Sequence, residues 1–173
     1  MKMSTQSIRT RIHQEAGFTL MELLIVMSLI LIIMAIAIPG YQGIIRRGNE
    51  LSALGSLKTI NEEELQYQST YPQFGYACNL AYLGGDKAAG PPTPTSAQLI
   101  PNDLASGQKQ GYTFAVTNCV KSTVNNQDVI QDYEITAVPQ SKGHSGNRGF
   151  CSDSEGVIKY DPQGGTNCTL PVQ

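Results

Sequence analysis

The side chain most conspicuously placed for chemistry in this 173-residue chain is an acid in an apolar setting. Glu22 lies within residues 18–38, an almost wholly apolar run whose only other clearly polar members are Thr19 and Ser28. A carboxylate at the centre of a membrane helix costs roughly 2.5–3.5 kcal/mol on insertion scales and less towards an end, so an acid in such a run marks a functional position. The other candidates are weaker. His144, in the loop Lys142-Gly143-His144-Ser145-Gly146, reads as a solvated loop side chain and not as a general base. Asp153, Glu155 and Asp161 bring together oxygens of the kind that hold Ca²⁺, but they do not match an EF-hand loop and read as solvated hairpin carboxylates, with no metal assigned. Cys78, Cys119, Cys151 and Cys168 are too widely spaced for a zinc knuckle or a thioredoxin-like pair. The chain has no metalloprotease helix, P-loop or nucleophile elbow, and it reads as a protein that is not an enzyme and needs no cofactor.

Glu22 is carried by a segment that is itself informative. As a helix rising about 1.5 Å per residue, Phe18 to Ile38 spans roughly 30 Å, the thickness of a bilayer's hydrocarbon core. Just upstream lies a small, flexible Gly17. A cut between Gly17 and Phe18 would create an α-ammonium about 6 Å along the helix axis from Glu22, a cation for an otherwise isolated anion. Two other readings compete. One is an ordinary single-pass anchor. The other is a secretory signal cut after Ala35-Ile36-Ala37, releasing a soluble binding domain that starts at Ile38, although the apolar run exceeds the usual ~7–15 residues and contains an acid.

The run Gly17-Phe18-Thr19-Leu20-Met21-Glu22, followed by an apolar helix and Pro39, resembles the type III signal of type IV prepilins and type II secretion pseudopilins. The resemblance covers Gly17 to about Tyr67. It implies removal of residues 1–17 by a prepilin peptidase, methylation of the new N-terminal Phe18, and a role for Glu22 in guiding assembly. Pro39 corresponds to the helix-kinking proline of that family, and together with Gly40 and Gly43 it reads as the place where the helix bends. The implied product is a homo-oligomeric filament, built by inner-membrane machinery through packing of N-terminal helices. Both an extracellular type IV pilus and a secretion pseudopilus fit this signal, and the four cysteines and long head tilt the reading towards the pilus.

Charge and cysteine usage set the topology. Without residues 1–17 the chain keeps nine basic and thirteen acidic residues, a net charge of −4, which gives no basic footprint for nucleic acid. Lys2, Arg9 and Arg11 precede the apolar run, while Arg46 and Arg47 follow it, so the charge bias is modest. All four cysteines follow it too, and an even count in a small exported domain points to disulfides in an oxidising compartment. The expected arrangement is a single pass through the inner membrane with a cytoplasmic N-terminus, later a periplasm-crossing or cell-surface filament.

Beyond Pro39, Ile44, Leu51, Leu54, Leu57, Ile60 and Leu65 recur mostly at three- and four-residue intervals, which predicts an amphipathic continuation of the helix to about Gln68. Asn49, Ser52, Ser56, Thr59 and Glu63 fall on one polar arc. Apolar residues occupy about half the circumference, more than one core needs, so part of that surface is available to neighbouring subunits or packs on the chain's own sheet. The segments Tyr112–Thr117, Tyr133–Val138, Arg148–Ser152 and Val157–Tyr160 read as strands, and GPPTPTS as an exposed loop. The expected architecture is α+β, a pilin-like fold. It has a transmembrane half-helix (18–38), an amphipathic half-helix (39–68) and a head (69–173), with one long kinked helix packing its outer half on three to four antiparallel strands. Four cysteines allow three pairings. The sequence does not choose among them; the reading favours Cys151 with Cys168, a C-terminal loop worth about 3 kcal/mol by loop-closure entropy, which leaves Cys78 with Cys119.

Overall fold

A computed structural model describes residues 17–124 and 126–172 of the chain. Most of the expected leader therefore lies outside the described residues. The described chain divides into two compact units, one ending at Pro39 and the other beginning at Gly40.

Helix α1 runs Leu20–Thr70. Its start is fixed by a reciprocal cap. The Glu22 N–H donates to Thr19 Oγ1 at 3.2 Å, while the Thr19 N–H donates to Glu22 Oε2 at 3.0 Å, satisfying two donors that the first helical turn otherwise leaves unpaired. Its end coincides with Tyr71-Pro72, where proline disfavours helical geometry in the residue before it. In the first unit, side chains from Phe18 to Ile38 are exposed, and the segment is long and apolar enough to cross a membrane. Ser28 within it donates its hydroxyl to the Ile25 carbonyl at 2.7 Å, so this polar group has a partner inside the helix itself.

The second unit is built on a six-stranded antiparallel sheet whose spatial order is its chain order. The strands are β1 (Gln108–Lys109), β2 (Tyr112–Val124), β3 (Gln127–Pro139), β4 (Gly149–Asp153), β5 (Ile158–Asp161) and β6 (Leu170–Pro171). The strands read from the sequence, two from alternation and two from the turn between them, are β2 to β5. Two-residue strands β1 and β6 extend the sheet at either edge, too short to leave a periodic signal. Strands β2 and β3 also run further than alternation indicates. Between Thr117 and Val120 the pairing slips at a bulge where Asn118 takes φ 50°, and beyond it Lys121 to Val124 face Gln127 to Ile130 with mostly polar side chains.

The core lies between the sheet and the outer part of α1. Ala53, Leu57, Ile60 and Tyr67 from the helix meet Tyr112, Phe114, Tyr133, Ile135, Ala137 and Phe150 from the strands. The polar arc drawn from the sequence is corrected at Ser56, which is buried, as are Glu50, Asn61 and Glu64. Ile44, Leu51 and Leu65 stay exposed, so the apolar surface does not all pack on the chain's own sheet. Short helices α2 (Leu80–Leu83) and α3 (Asn102–Ala105) close one end of the core through Leu80, Leu83 and Leu104.

Candidate processing and assembly segment

Gly17 and Phe18 lie outside regular structure immediately before α1. Phe18 is 86% exposed, and among the described residues nothing lies within 4 Å of where a Cβ at Gly17 would stand. The competing cut after Ala37 falls inside α1, where the backbone is already hydrogen-bonded and a turn of helix would have to open first.

Glu22 is exposed on the first turn of α1. Its Oε2 accepts from both the N–H and the hydroxyl of Thr19, each at 3.0 Å. The acid that looks isolated in sequence thus has a local role as the second half of a capping box. The Thr-x-x-Glu pattern at Thr19–Glu22 is the signal that reveals it, and the apolar context obscured it. Gly40 and Gly43 follow Pro39 within α1, and a Cβ at either glycine would meet open space.

The cysteines pair as Cys78–Cys119 and Cys151–Cys168. The first ties the segment after α1 to the bulge of β2. The second fastens the C-terminal loop to β4.

Asp153 and Asp161 are employed in turns. Asp153 Oδ1 accepts from the Val157 N–H at 2.9 Å and organises the β4–β5 hairpin. Asp161 is buried, not solvated, and accepts from the N–H groups of Gln163 at 2.8 Å and Gly165 at 3.1 Å. Glu155 is exposed in the hairpin turn. Among the described residues, no three His, Cys, Asp or Glu side chains converge as metal ligands. His144 is exposed in the β3–β4 loop.

Three buried polar residues of α1, unnoticed in the sequence, lock the helix to the head. Glu50 Oε2 accepts from Arg148 Nη2 at 2.7 Å and Nε at 2.9 Å, while Oε1 takes the N–H groups of Asn147 and Arg148. Asn61 donates to Ser152 Oγ at 2.6 Å and accepts from the Tyr133 hydroxyl at 3.0 Å. Glu64, with no exposed surface, accepts from the Ala77 N–H at 2.7 Å through Oε2, and its Oε1 has no partner among the described residues. Burial without a cation pushes the Glu64 carboxyl up to about 8, against the pull of the Ala77 bond.

Compared with known families, residues 12–38 match the prokaryotic N-terminal methylation motif. The chain thus carries the signal of type IV prepilins and pseudopilins, on the segment where Gly17, Phe18 and Glu22 sit. That motif implies processing by prepilin peptidase and assembly at the membrane, and with the apolar N-terminal helix it fits an inner-membrane-anchored pilin. No solved structure matches the chain.

Proposed function

We propose that the chain is a structural subunit of a type IV pilus. The peptidase removes residues 1–17, Phe18 becomes the methylated N-terminus, and residues 18–38 hold the subunit in the inner membrane until it enters a helical filament. Residues 39–68 then serve as the amphipathic half-helix under a head formed by 69–173. The observation that carries this reading is the methylation motif over residues 12–38 on a helix whose apolar side chains are exposed.

In the filament, Glu22 of an incoming subunit pairs with the Phe18 ammonium of a neighbour. The attraction is strong in a medium of low dielectric and largely offset by desolvation, so it sets register more than stability. Lateral packing of apolar helices supplies most of the cohesion. Pro39 removes a helix hydrogen bond, and with Gly40 and Gly43 it forms the place where α1 bends as a subunit leaves lipid.

The test is electron microscopy of filaments sheared from cells and labelled with an antibody to the head. Labelled surface filaments are expected. A chain that is processed and assembles only in the periplasm, with secretion lost on its deletion, would assign it instead to a secretion pseudopilus.

A further inference from the structure

Gly43, Arg46, Arg47 and Glu50 are spaced by three, one and three residues and share one face of α1. With Asn147 and Arg148 from the β3–β4 loop they line a hollow of about 390 Å³. Gly43 leaves its floor open, since a Cβ there would touch nothing within 4 Å. Each charged group around it is set differently. Glu50 is fully committed to Arg148 and to two loop N–H groups. Arg148 is further held over the rings of Phe150 and Tyr160, at 5.4 and 5.3 Å. Arg46 donates to the Gly143 carbonyl at 3.1 Å and the Gln42 carbonyl at 3.3 Å, which orient its guanidinium without neutralising it. Among the described residues, neither Arg46 nor Arg47 has a carboxylate within 4.0 Å. The hollow therefore keeps two positive charges on a chain whose net charge is −2.

Guanidinium groups match phosphate oxygens in charge and in hydrogen-bonding geometry. Position selects the source of phosphate. Arg46 follows Ile38, the end of the apolar run, by eight residues, a length of chain that reaches no more than about 26–29 Å even fully extended. Side chains on a helix lean towards its N-terminus, and the bond from Arg46 Nε to the carbonyl four residues earlier has that direction. The headgroup layer borders the hydrocarbon to a depth of roughly 5–8 Å on each side. Tethering by the apolar span holds the hollow near a dense layer of phosphates, which raises their effective concentration far above that of a free anion.

We propose that this hollow is an anion site that takes the phosphate of an anionic phospholipid while the subunit is in the membrane. The site rests on the membrane-anchored reading above. It would fix the depth and rotation of α1 before assembly and release the lipid on extraction into the filament.

The test uses the full chain purified from membranes, placed in phosphatidylcholine nanodiscs with and without phosphatidylglycerol, and native mass spectrometry of retained lipid. Wild type is expected to retain phosphatidylglycerol. Arg47→Gln should lower retention about fivefold and R46Q/R47Q about thirtyfold, from the typical effect of each arginine at an anionic surface. R46K/R47K should keep most of it, and millimolar inorganic phosphate should not displace it. Unchanged retention in R46Q/R47Q overturns the site. Displacement by inorganic phosphate makes it a free-anion site instead, and lost filament incorporation with unchanged lipid assigns the arginines to a neighbouring copy. Circular dichroism verifies that each variant is folded. The N-terminus and membrane fraction of the same samples separate the two proposals. Correct processing with unchanged lipid refutes the hollow alone, whereas a wild-type chain absent from membranes refutes the functional reading and the hollow with it.

Discussion

At Glu22, Oε2 takes both bonds from Thr19, and Oε1 has no intrachain hydrogen bond among the described residues. One carboxylate can thus cap its own helix and still present an oxygen to a neighbour's ammonium. Glu22→Ala is expected to leave export and cleavage intact and to stop filament incorporation, read by immunoblot of sheared filaments against whole cells. Normal filaments from that variant would contradict the pairing. Glu64 has the opposite setting, buried with one oxygen unpartnered among the described residues and flanked by Tyr67 and Tyr133, whose hydroxyls are pushed towards higher pKa first by burial and then by the charge of Glu64. Its folded pKa of about 8 lies above the 4.5 of an unperturbed carboxyl, so its contribution to stability is fully present below pH 4.5 and lost as pH rises through about 8. Within that window stability falls by up to about 1.4 kcal/mol per pH unit. Glu64→Gln should flatten this slope and make the chain more stable than wild type near pH 8, measured by denaturant unfolding in detergent across pH. Equal slopes would contradict it.

Helix α1 and strands β2 and β3 were legible because burial imposes a period, three to four residues on the helix and two on the strands, whereas β4, buried along nearly its whole length, and β5 were legible from the turn Asp153-Ser154-Glu155-Gly156 between them. What that pattern missed was polar. Glu50, Asn61 and Glu64 lie on the buried face, where a wheel drawn from hydrophobicity alone expects apolar residues, because their partners Arg148, Ser152 and Ala77 are remote in sequence. The cap at Thr19 was legible in principle, its motif being local. The outer half of the β2–β3 hairpin was not, because it is mostly polar and begins at a bulge. Leu57 and Leu51 test the division of α1 into two apolar faces. Leu57 is completely buried, so Leu57→Ala should cost about 2–5 kcal/mol in subunit unfolding. Leu51 is 69% exposed, so Leu51→Ala should change subunit stability by no more than about 0.5 kcal/mol and instead weaken filaments, seen as lower resistance to shear.

As a whole, the chain combines an exposed apolar helix, unsuited to water, with a head closed by two disulfides. Their loops separate the cysteines by 41 and 17 residues, so by loop-closure entropy the Cys78–Cys119 bond should contribute more, by under about 1 kcal/mol. Replacing each pair with alanine and comparing unfolding midpoints checks that order, and a larger loss from the C-terminal pair would contradict it. The exposed helix has two successive environments in this account, lipid first and neighbouring copies afterwards. Both depend on where the chain is cut. Mass spectrometry of the N-terminus of the mature protein tests this directly. The account predicts a chain that starts at N-methylated Phe18, and a mature chain that starts at Ile38 would contradict it.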